Sequence, residues 1–348
     1  MSGLGIASSG EPDDPASTTS SDRVVRTVPT MEHPMDTQTP PLIDIGPLLD
    51  DTADASACAA RIHEACLEWG FFVAVGHRLD DEMSAVFDVA RRFFSLSQAE
   101  KEATPRANRY GFVPLKALAI DVDRASDNTE YIDMGLHDEV ALPDLDGLAD
   151  AVRTYQTAAL AVGEVLLGAI ADQLGAGPDF FARVMQDPQC RLRFLHYPPV
   201  QADERGVLPV PTTAHTDYGA LTLLATDGVP GLEVKPKGRD WTPVVAPAGA
   251  LVVNLGDMLR RWTNDRYQST PHRVVGPAEG DRISIPFFVN PDPATIVTAI
   301  AECVTDQHPE RYGPITAGEF LAQRIDGRDE PYVDPAEGPE RRVEAGAS

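Results

Sequence analysis

The chain has 348 residues and a formal net charge of −25, from 29 basic and 54 acidic side chains. That charge argues against a nucleic-acid partner, whose backbone requires a basic face, and against an anionic membrane surface. With 43% apolar and 24% charged residues, the composition is that of a soluble globular protein, not of a fibrous or wholly disordered chain.

Residues 1–38 are dense in Ser, Thr, Pro and Asp without an apolar period and read as a tail. Met31 and Met35 stand inside it as alternative translation starts, which the intact mass of the native protein distinguishes. There is no apolar signal region at the N-terminus and no stretch near the roughly 18 apolar residues of a spanning helix. Pro41–Ile45 predicts a short strand. Ala57, Ile62, Ala65, Cys66 and Trp69 form an apolar stripe that predicts a helix over Asp54–Trp69. Phe71–Val75 reads as a buried strand. Met83, Val86, Phe87, Ala90 and Phe94 predict a second helix over Asp80–Phe94. A long helix is expected over Asp144–Leu174, stopped by Gly175 and Gly177 with Pro178 after them.

From Arg191 onward the texture is that of strands: Arg191–Tyr197, Thr212–Ala225, Leu232–Lys235, Trp241–Val245, Ala250–Asn254, His272–Val275 and Arg282–Val289, separated by Gly, Pro, Asn and Asp. One short helix, Asp257–Trp262, interrupts them with Asp257 placed as its cap, and a last helix is expected over Ala317–Ile325. The fold class is therefore α+β with a mainly β core, helices first and an antiparallel sandwich or barrel second, the long helix bracing one sheet from outside. A single domain is expected over 39–326, with a helix-rich part (39–188) and a β core (189–326), followed by an acidic tail, 327–348. Four cysteines, Cys58, Cys66, Cys190 and Cys303, without a C-x-x-C pair are too few for a disulfide scaffold, so a reducing cytoplasm is the expected compartment. No glycine-rich nucleotide loop is present.

The chemistry begins with His215 and Asp217. At i and i+2 in an expected strand, both point to one face. About one such pair arises by chance in a chain of this composition, so context decides. His272 supplies it: an antiparallel double sheet can bring this residue beside the other two. Two imidazoles and one carboxylate make the facial triad of non-heme iron(II) oxygenases, with the other metal positions open. A zinc hydrolase uses similar ligands but needs a general base, and no His-Glu-x-x-His is present. Arg282 and Ser284 share the inward face of another strand. A guanidinium inside a barrel needs an anion, and its planar fork suits a ligand carboxylate. The alternative is an internal salt bridge to Asp or Glu.

Several segments in order resemble the iron(II)- and 2-oxoglutarate-dependent oxygenases of the isopenicillin N synthase-like branch. They are Ala214-His215-Thr216-Asp217-Tyr218-Gly219-Ala220-Leu221-Thr222, Asn254-Leu255-Gly256-Asp257, Arg261-Trp262-Thr263-Asn264, Ser269-Thr270-Pro271-His272-Arg273-Val274 and Arg282-Ile283-Ser284. Upstream, Pro41-Leu42-Ile43-Asp44-Ile45 and Trp69-Gly70-Phe71-Phe72 resemble that family's N-terminal signature. The resemblance spans about residues 40–325 and implies a double-stranded β-helix (jelly roll) with N-terminal and bracing helices. It implies Fe(II) held by His215, Asp217 and His272, 2-oxoglutarate as co-substrate on Arg282 and Ser284 with Tyr197 assisting, and O2 as oxidant. Leu195 stands where many relatives have Asn.

The implied reaction is hydroxylation, desaturation or cyclisation of a small molecule, an amino acid or specialised metabolite, with release of succinate and CO2. Substrate contacts are sought at Arg193, as partner of a substrate acid or in a structural ion pair, at Phe288, against substrate or in the core, and at Tyr110 and Glu130 near the pocket lid. A monomer is expected. Two alternatives stand beside this reading. One is an iron oxidase of the same fold that uses no keto acid and binds substrate carboxylate through Arg282 and Ser284. The other is a jelly-roll binding protein with a vestigial metal site.

Overall fold

In the computed structural model, which describes residues 38–106, 110–115, 129–136, 142–199, 212–277 and 280–325, period-2 alternation decides what lies on each side of the central sheet. The N-terminal part contributes β1 (Leu42–Asp44), α1 (Gly46–Leu49), α2 (Ala55–Glu68), β2 (Phe71–Val75), α3 (Asp80–Phe94), α4 (Gln98–Glu102), β3 (Gly111–Val113), β4 (Glu130–Gly135) and α5 (Leu148–Leu174). The second part holds β5 (Arg191–Tyr197), β6 (Thr212–His215), β7 (Leu221–Thr226), β8 (Leu232–Val234), β9 (Thr242–Pro243), β10 (Leu251–Leu255), α6 (Asp257–Trp262), β11 (His272–Val274), β12 (Arg282–Val289), β13 (Ile296–Val297), β14 (Ile315–Thr316) and α7 (Ala317–Ile325).

Eight strands form the major sheet in the order β1-β2-β10-β7-β12-β5-β4-β3, and four form the minor sheet, β6-β11-β8-β9. The two pack as a jelly roll. In β12, Ile283, Ile285, Phe287 and Val289 join the core under the helices, while Arg282, Ser284, Pro286 and Phe288 line the space between the sheets. Each such apolar side chain, fully buried, contributes on the order of 1.5–3 kcal/mol. β7 and β10 alternate in the same way: Leu221, Leu223, Leu251 and Val253 face the helices, whereas Thr222, Leu224 and Asn254 face inward.

The expected bracing helix is present as α5. By length and composition it is apolar enough to cross a membrane, which corrects the expectation that no stretch approaches a span. Its stripe of Val152, Tyr155, Ala159, Val162, Leu166 and Ile170 is instead buried in the core. It touches the sheet closely: a Cβ on Gly163 would lie 3.0 Å from Val289 Cγ2.

Three expectations change. The long helix starts at Leu148 and not Asp144, because Leu148 N–H closes a turn on Leu145 C=O (3.0 Å) and Gly147 is left-handed (φ 74°). The single run Thr212–Ala225 is two strands in different sheets, β6 and β7, so Asp217 lies beyond the strand that carries His215. The break is held by the start of α6, where the N–H groups of Asp257 and Met258 donate to Asp217 C=O (2.8 Å) and Gly219 C=O (3.1 Å). Asp257 is also not the cap of α6. Gly256 occupies that position without a side-chain bond, and Asp257 Oδ2 instead accepts from Thr216 Oγ1 (3.1 Å) and pairs with Arg324 Nη1 (3.2 Å). Unexpected elements are α1, α4, β3, β4, β13 and β14. The tails expected at 1–38 and 327–348 lie, apart from Gln38, outside the described residues.

Gly256 is where the turn admits no side chain: a Cβ there would sit 2.1 Å from Gly219 O and 2.7 Å from its carbonyl carbon. Gly256→Ala therefore forces backbone apart and is expected to cost about 1–3 kcal/mol, seen as a lower Tm by circular dichroism. Gly313→Ala, with nothing within 4 Å of the added carbon, should leave Tm unchanged.

Candidate metal centre

Antiparallel pairing of β6 with β11 sets His272 opposite His215, their ring centroids 4.3 Å apart. Asp217 reaches the same place from the turn after β6. Its Oδ1 lies 4.0 Å from His215 Nε2 and 3.8 Å from His272 Nε2, and one ligand atom from each of the three residues falls within 4.8 Å of the others. Each imidazole directs Nδ1 to the carbonyl two residues earlier, 2.9 Å to Thr213 O and 3.2 Å to Thr270 O. A carbonyl only accepts, so Nδ1 carries the proton and Nε2 presents a lone pair. Phe71 packs edge-on against His272 at 5.4 Å.

Asp217 is fixed as firmly. Its Oδ2 accepts from Thr222 Oγ1 and Asn254 Nδ2, both at 2.6 Å, which leaves Oδ1 for the centre. Burial pushes its pKa up, but His272, His215 and these two hydrogen bonds outweigh burial and hold the carboxyl below its ordinary value. Two nitrogens and one oxygen presented from one side fit a ferrous facial triad with open positions. Among the described residues lining the cavities around it, Asp217 is the one carboxylate, so the general base a zinc hydrolase needs is not supplied there.

Two cavities meet at this centre. The inner one, about 150 Å³, lies between the sheets and includes Tyr197, Arg282 and Ser284 together with His215, Asp217 and His272. Arg282 is 1% exposed. Its Nε donates to Val229 O at 3.2 Å, its guanidinium lies 4.8 Å from the Tyr197 ring centroid, and its Nη1 is buried without a partner. Among the described residues no carboxylate pairs with Arg282, so the internal salt bridge weighed as an alternative is not formed there. The outer cavity, about 450 Å³, includes Tyr110, Arg191, Arg193, Tyr218 and Phe288, and is also lined by His215 and Asp217.

Tyr110 and Phe288 thus lie where a substrate contact was sought. Arg193 and Glu130 need correction. Arg193 does line both cavities, but its Nε and Nη2 donate to Asp133 Oδ1 and Oδ2, each at 2.6 Å, so the structural ion pair is what forms. Glu130 lines neither cavity. Alternation in β4 turns Tyr131 inward and Glu130 away, where Glu130 accepts from Lys101 Nζ at 2.7 Å and contacts His196 Nδ1 at 2.8 Å. Burial raises the Glu130 pKa, but the bonds to His196 and Lys101 outweigh it and the net shift is downward.

Four functional neighbours were not singled out from sequence: Thr222, Asn254, Arg191 and Asp133. Asn254 had a signal, being the one polar residue in the apolar strand Leu251–Leu255. Arg191 had another, standing two before Arg193 on the same face. Asp133 lies in β4, where no strand was expected.

Comparison with known proteins gives a consistent result. Residues 186–291 match the 2OG-Fe(II) oxygenase superfamily, and residues 40–151 match the N-terminal domain described for non-haem dioxygenase in morphine synthesis. The chain is 32% identical to a 2-oxoglutarate-Fe(II) type oxidoreductase of Emericella nidulans, over 84% of this chain and 92% of that protein. The crystal structure of a full-length Neurospora crassa protein in complex with alpha-KG and thymine aligns with a TM-score of 0.75 at 26% identity, covering 85% of this chain and 99% of that one. JOX2 in complex with 2OG, Fe and JA aligns with a TM-score of 0.71 at 25% identity, covering 90% and 94% of the two chains.

Asn254→Leu removes one of the two bonds that hold Asp217 and should weaken Mn(II) binding about 10–100-fold, read by titration. Glu130→Gln should lower Tm at neutral pH and leave 2-oxoglutarate affinity unchanged. The depressed Glu130 pKa means that its contribution exists above the unfolded value of about 4.3 and is lost as pH falls through the folded one. The Tm values of wild type and variant should therefore converge in acid.

Proposed function

The chain belongs to the 2OG-Fe(II) oxygenase superfamily, and from that premise we propose a role for each group at its centre. The protein is an Fe(II)- and 2-oxoglutarate-dependent dioxygenase that oxidises a small molecule with release of succinate and CO2. His215, Asp217 and His272 are the iron ligands. Arg282 and Ser284 take the distal carboxylate of 2-oxoglutarate, with Tyr197 alongside. The observation that carries the assignment is Arg282, a buried guanidinium with an unpartnered Nη1 in a cavity shared with the three ligand residues. A buried cation left unpaired costs several kcal/mol, and a carboxylate from the co-substrate removes that cost.

When bound, iron and co-substrate supply the oxidising chemistry, which no side chain has. The protein's part is placement. The carbonyls of Thr213 and Thr270 hold the Nδ1 protons, so both Nε2 atoms stay available to the metal. Thr222 and Asn254 keep Asp217 oriented. Phe71, Leu224, Leu232 and Val274 give the inner cavity an apolar wall that keeps water out. Leu195, also in that wall, has no polar side-chain group for the keto-acid end, so the anchoring by Arg282 and Ser284 is at the distal carboxylate. The substrate enters the outer cavity, past Tyr110 and Phe288. The same reading places the protein as a monomer of the cytoplasm acting on a specialised metabolite. Four cysteines that are all free and buried support the compartment alone.

His215→Ala and Asp217→Ala should abolish 2-oxoglutarate-dependent succinate formation while the circular dichroism spectrum is retained. Arg282→Met should raise the 2-oxoglutarate KM by about 100-fold, the cost of removing one partner of a buried charge pair, and Ser284→Ala by about tenfold. Product formed without an equal amount of succinate would reassign Arg282 and Ser284 to a substrate carboxylate.

A further inference from the structure

Among the described residues, the wall of the outer cavity carries one more positive charge than it neutralises. Three side chains meet there: Arg191, Arg193 and Asp133. Asp133 is buried (side chain 3% exposed), and both its oxygens are engaged by Arg193 at 2.6 Å. Arg191 comes second to the same carboxylate. Its Nη1 stands 3.5 Å from Asp133 Oδ2, and among the described residues its guanidinium has no hydrogen bond. It lies 4.7 Å from the Phe288 ring centroid, and the residue lines the outer cavity. Burial works against its charge, Asp133 is the one carboxylate that supports it, and Arg193 opposes it. The remaining charges balance without it, since a ferrous ion, dianionic 2-oxoglutarate, Asp217 and Arg282 are together neutral. One cation with free donors is left facing a cavity that also contains His215 and Asp217.

We propose that the substrate brings a carboxylate, that Arg191 receives it on the wall of the outer cavity, and that the enzyme therefore acts on a small monoanionic acid. The inference rests on the oxygenase reading of this site. A single excess charge calls for a single negative charge; a phosphate dianion would overshoot it. The planar fork of Arg191 suits two carboxylate oxygens. Arg193 is not the receptor because Asp133 already occupies its fork. That ion pair is a positioning device: it fixes Arg193 and draws Arg191 over Phe288, so little rotamer freedom is left to lose when the acid binds. Acid and metal then share one cavity.

The test uses the full chain loaded with Mn(II) and saturating 2-oxoglutarate, so that the inner cavity is filled. Hexanoate, decanoate, phenylacetate and cinnamate are titrated by calorimetry beside the primary amide of each. The best acid should bind at least about tenfold more tightly than its own amide, as a charge-assisted pair gives. Arg191→Gln should bring the two within about twofold, while Arg191→Lys keeps part of the preference. Unchanged 2-oxoglutarate affinity in both variants shows that the fold and inner cavity are intact. The inference is overturned if no acid binds better than its amide, or if Arg191→Gln keeps the preference. A wild-type chain that takes up neither Mn(II) nor 2-oxoglutarate contradicts the oxygenase reading instead. The acid-over-amide comparison is then made on the unloaded chain, with the same two outcomes for Arg191.

Discussion

Charge placed between two β-sheets is the constraint on which this molecule is organised. The space enclosed by the major and minor sheets buries Asp217, His272 and Arg282, and His215 stands half-exposed at its mouth. Each polar atom there must be bonded within the protein or kept for a ligand. The first solution is seen around His215, His272 and Asp217, where backbone carbonyls, Thr222 and Asn254 take up every bonding direction except those that converge on one point. The second is seen at Arg282, where a buried donor is left over. What separates the two is a plan of the reaction: satisfied atoms orient, and the unsatisfied one receives.

The same strands carry both halves of the structure. Along β12, alternate residues pack under the helices or face the reacting groups, so the rigidity gained on one face is passed to the other through a single backbone. α6 has a related part. Its first N–H groups hold the turn that carries Asp217, although the helix itself contributes no side chain to the cavities described. Gly256 allows that turn and helix to meet at backbone distance. His272 thus stands more than fifty residues from His215 and Asp217 and is brought to them by backbone pairing that no motif of side chains records.

Much of this was legible in the chain. Long periodic helices such as α3, and apolar strands such as β5 and β12, followed from spacing alone, and the three ligand residues from their types together with ordered family segments. What was missed has physical reasons. The segment containing β4 reads Glu-Tyr-Ile-Asp-Met-Gly, and its charged residues argue against a buried strand. They are buried because each meets a distant cation, Lys101 for Glu130 and Arg193 for Asp133. Pairing across sixty positions cannot be seen in a local window. For the same reason the sequence leaves Arg193 open between a substrate acid and a structural ion pair, and does not single out Arg191 two residues before it. The run Thr212–Ala225 reads as one strand because β-branched and apolar residues stand at both its ends, and the break between them is held by the start of α6.

The bonds from Thr222 and Asn254 to Asp217 have one more effect, on coordination number. A carboxylate with both oxygens free can chelate a metal and so fill two of its six sites. Here Oδ2 is fully occupied by a hydroxyl and an amide, and Oδ1 alone is offered. Asp217 would therefore give iron one ligand atom and not two. A threonine and an asparagine outside the ligand set would thus limit how much of the metal the protein itself takes up, leaving more of it to small molecules.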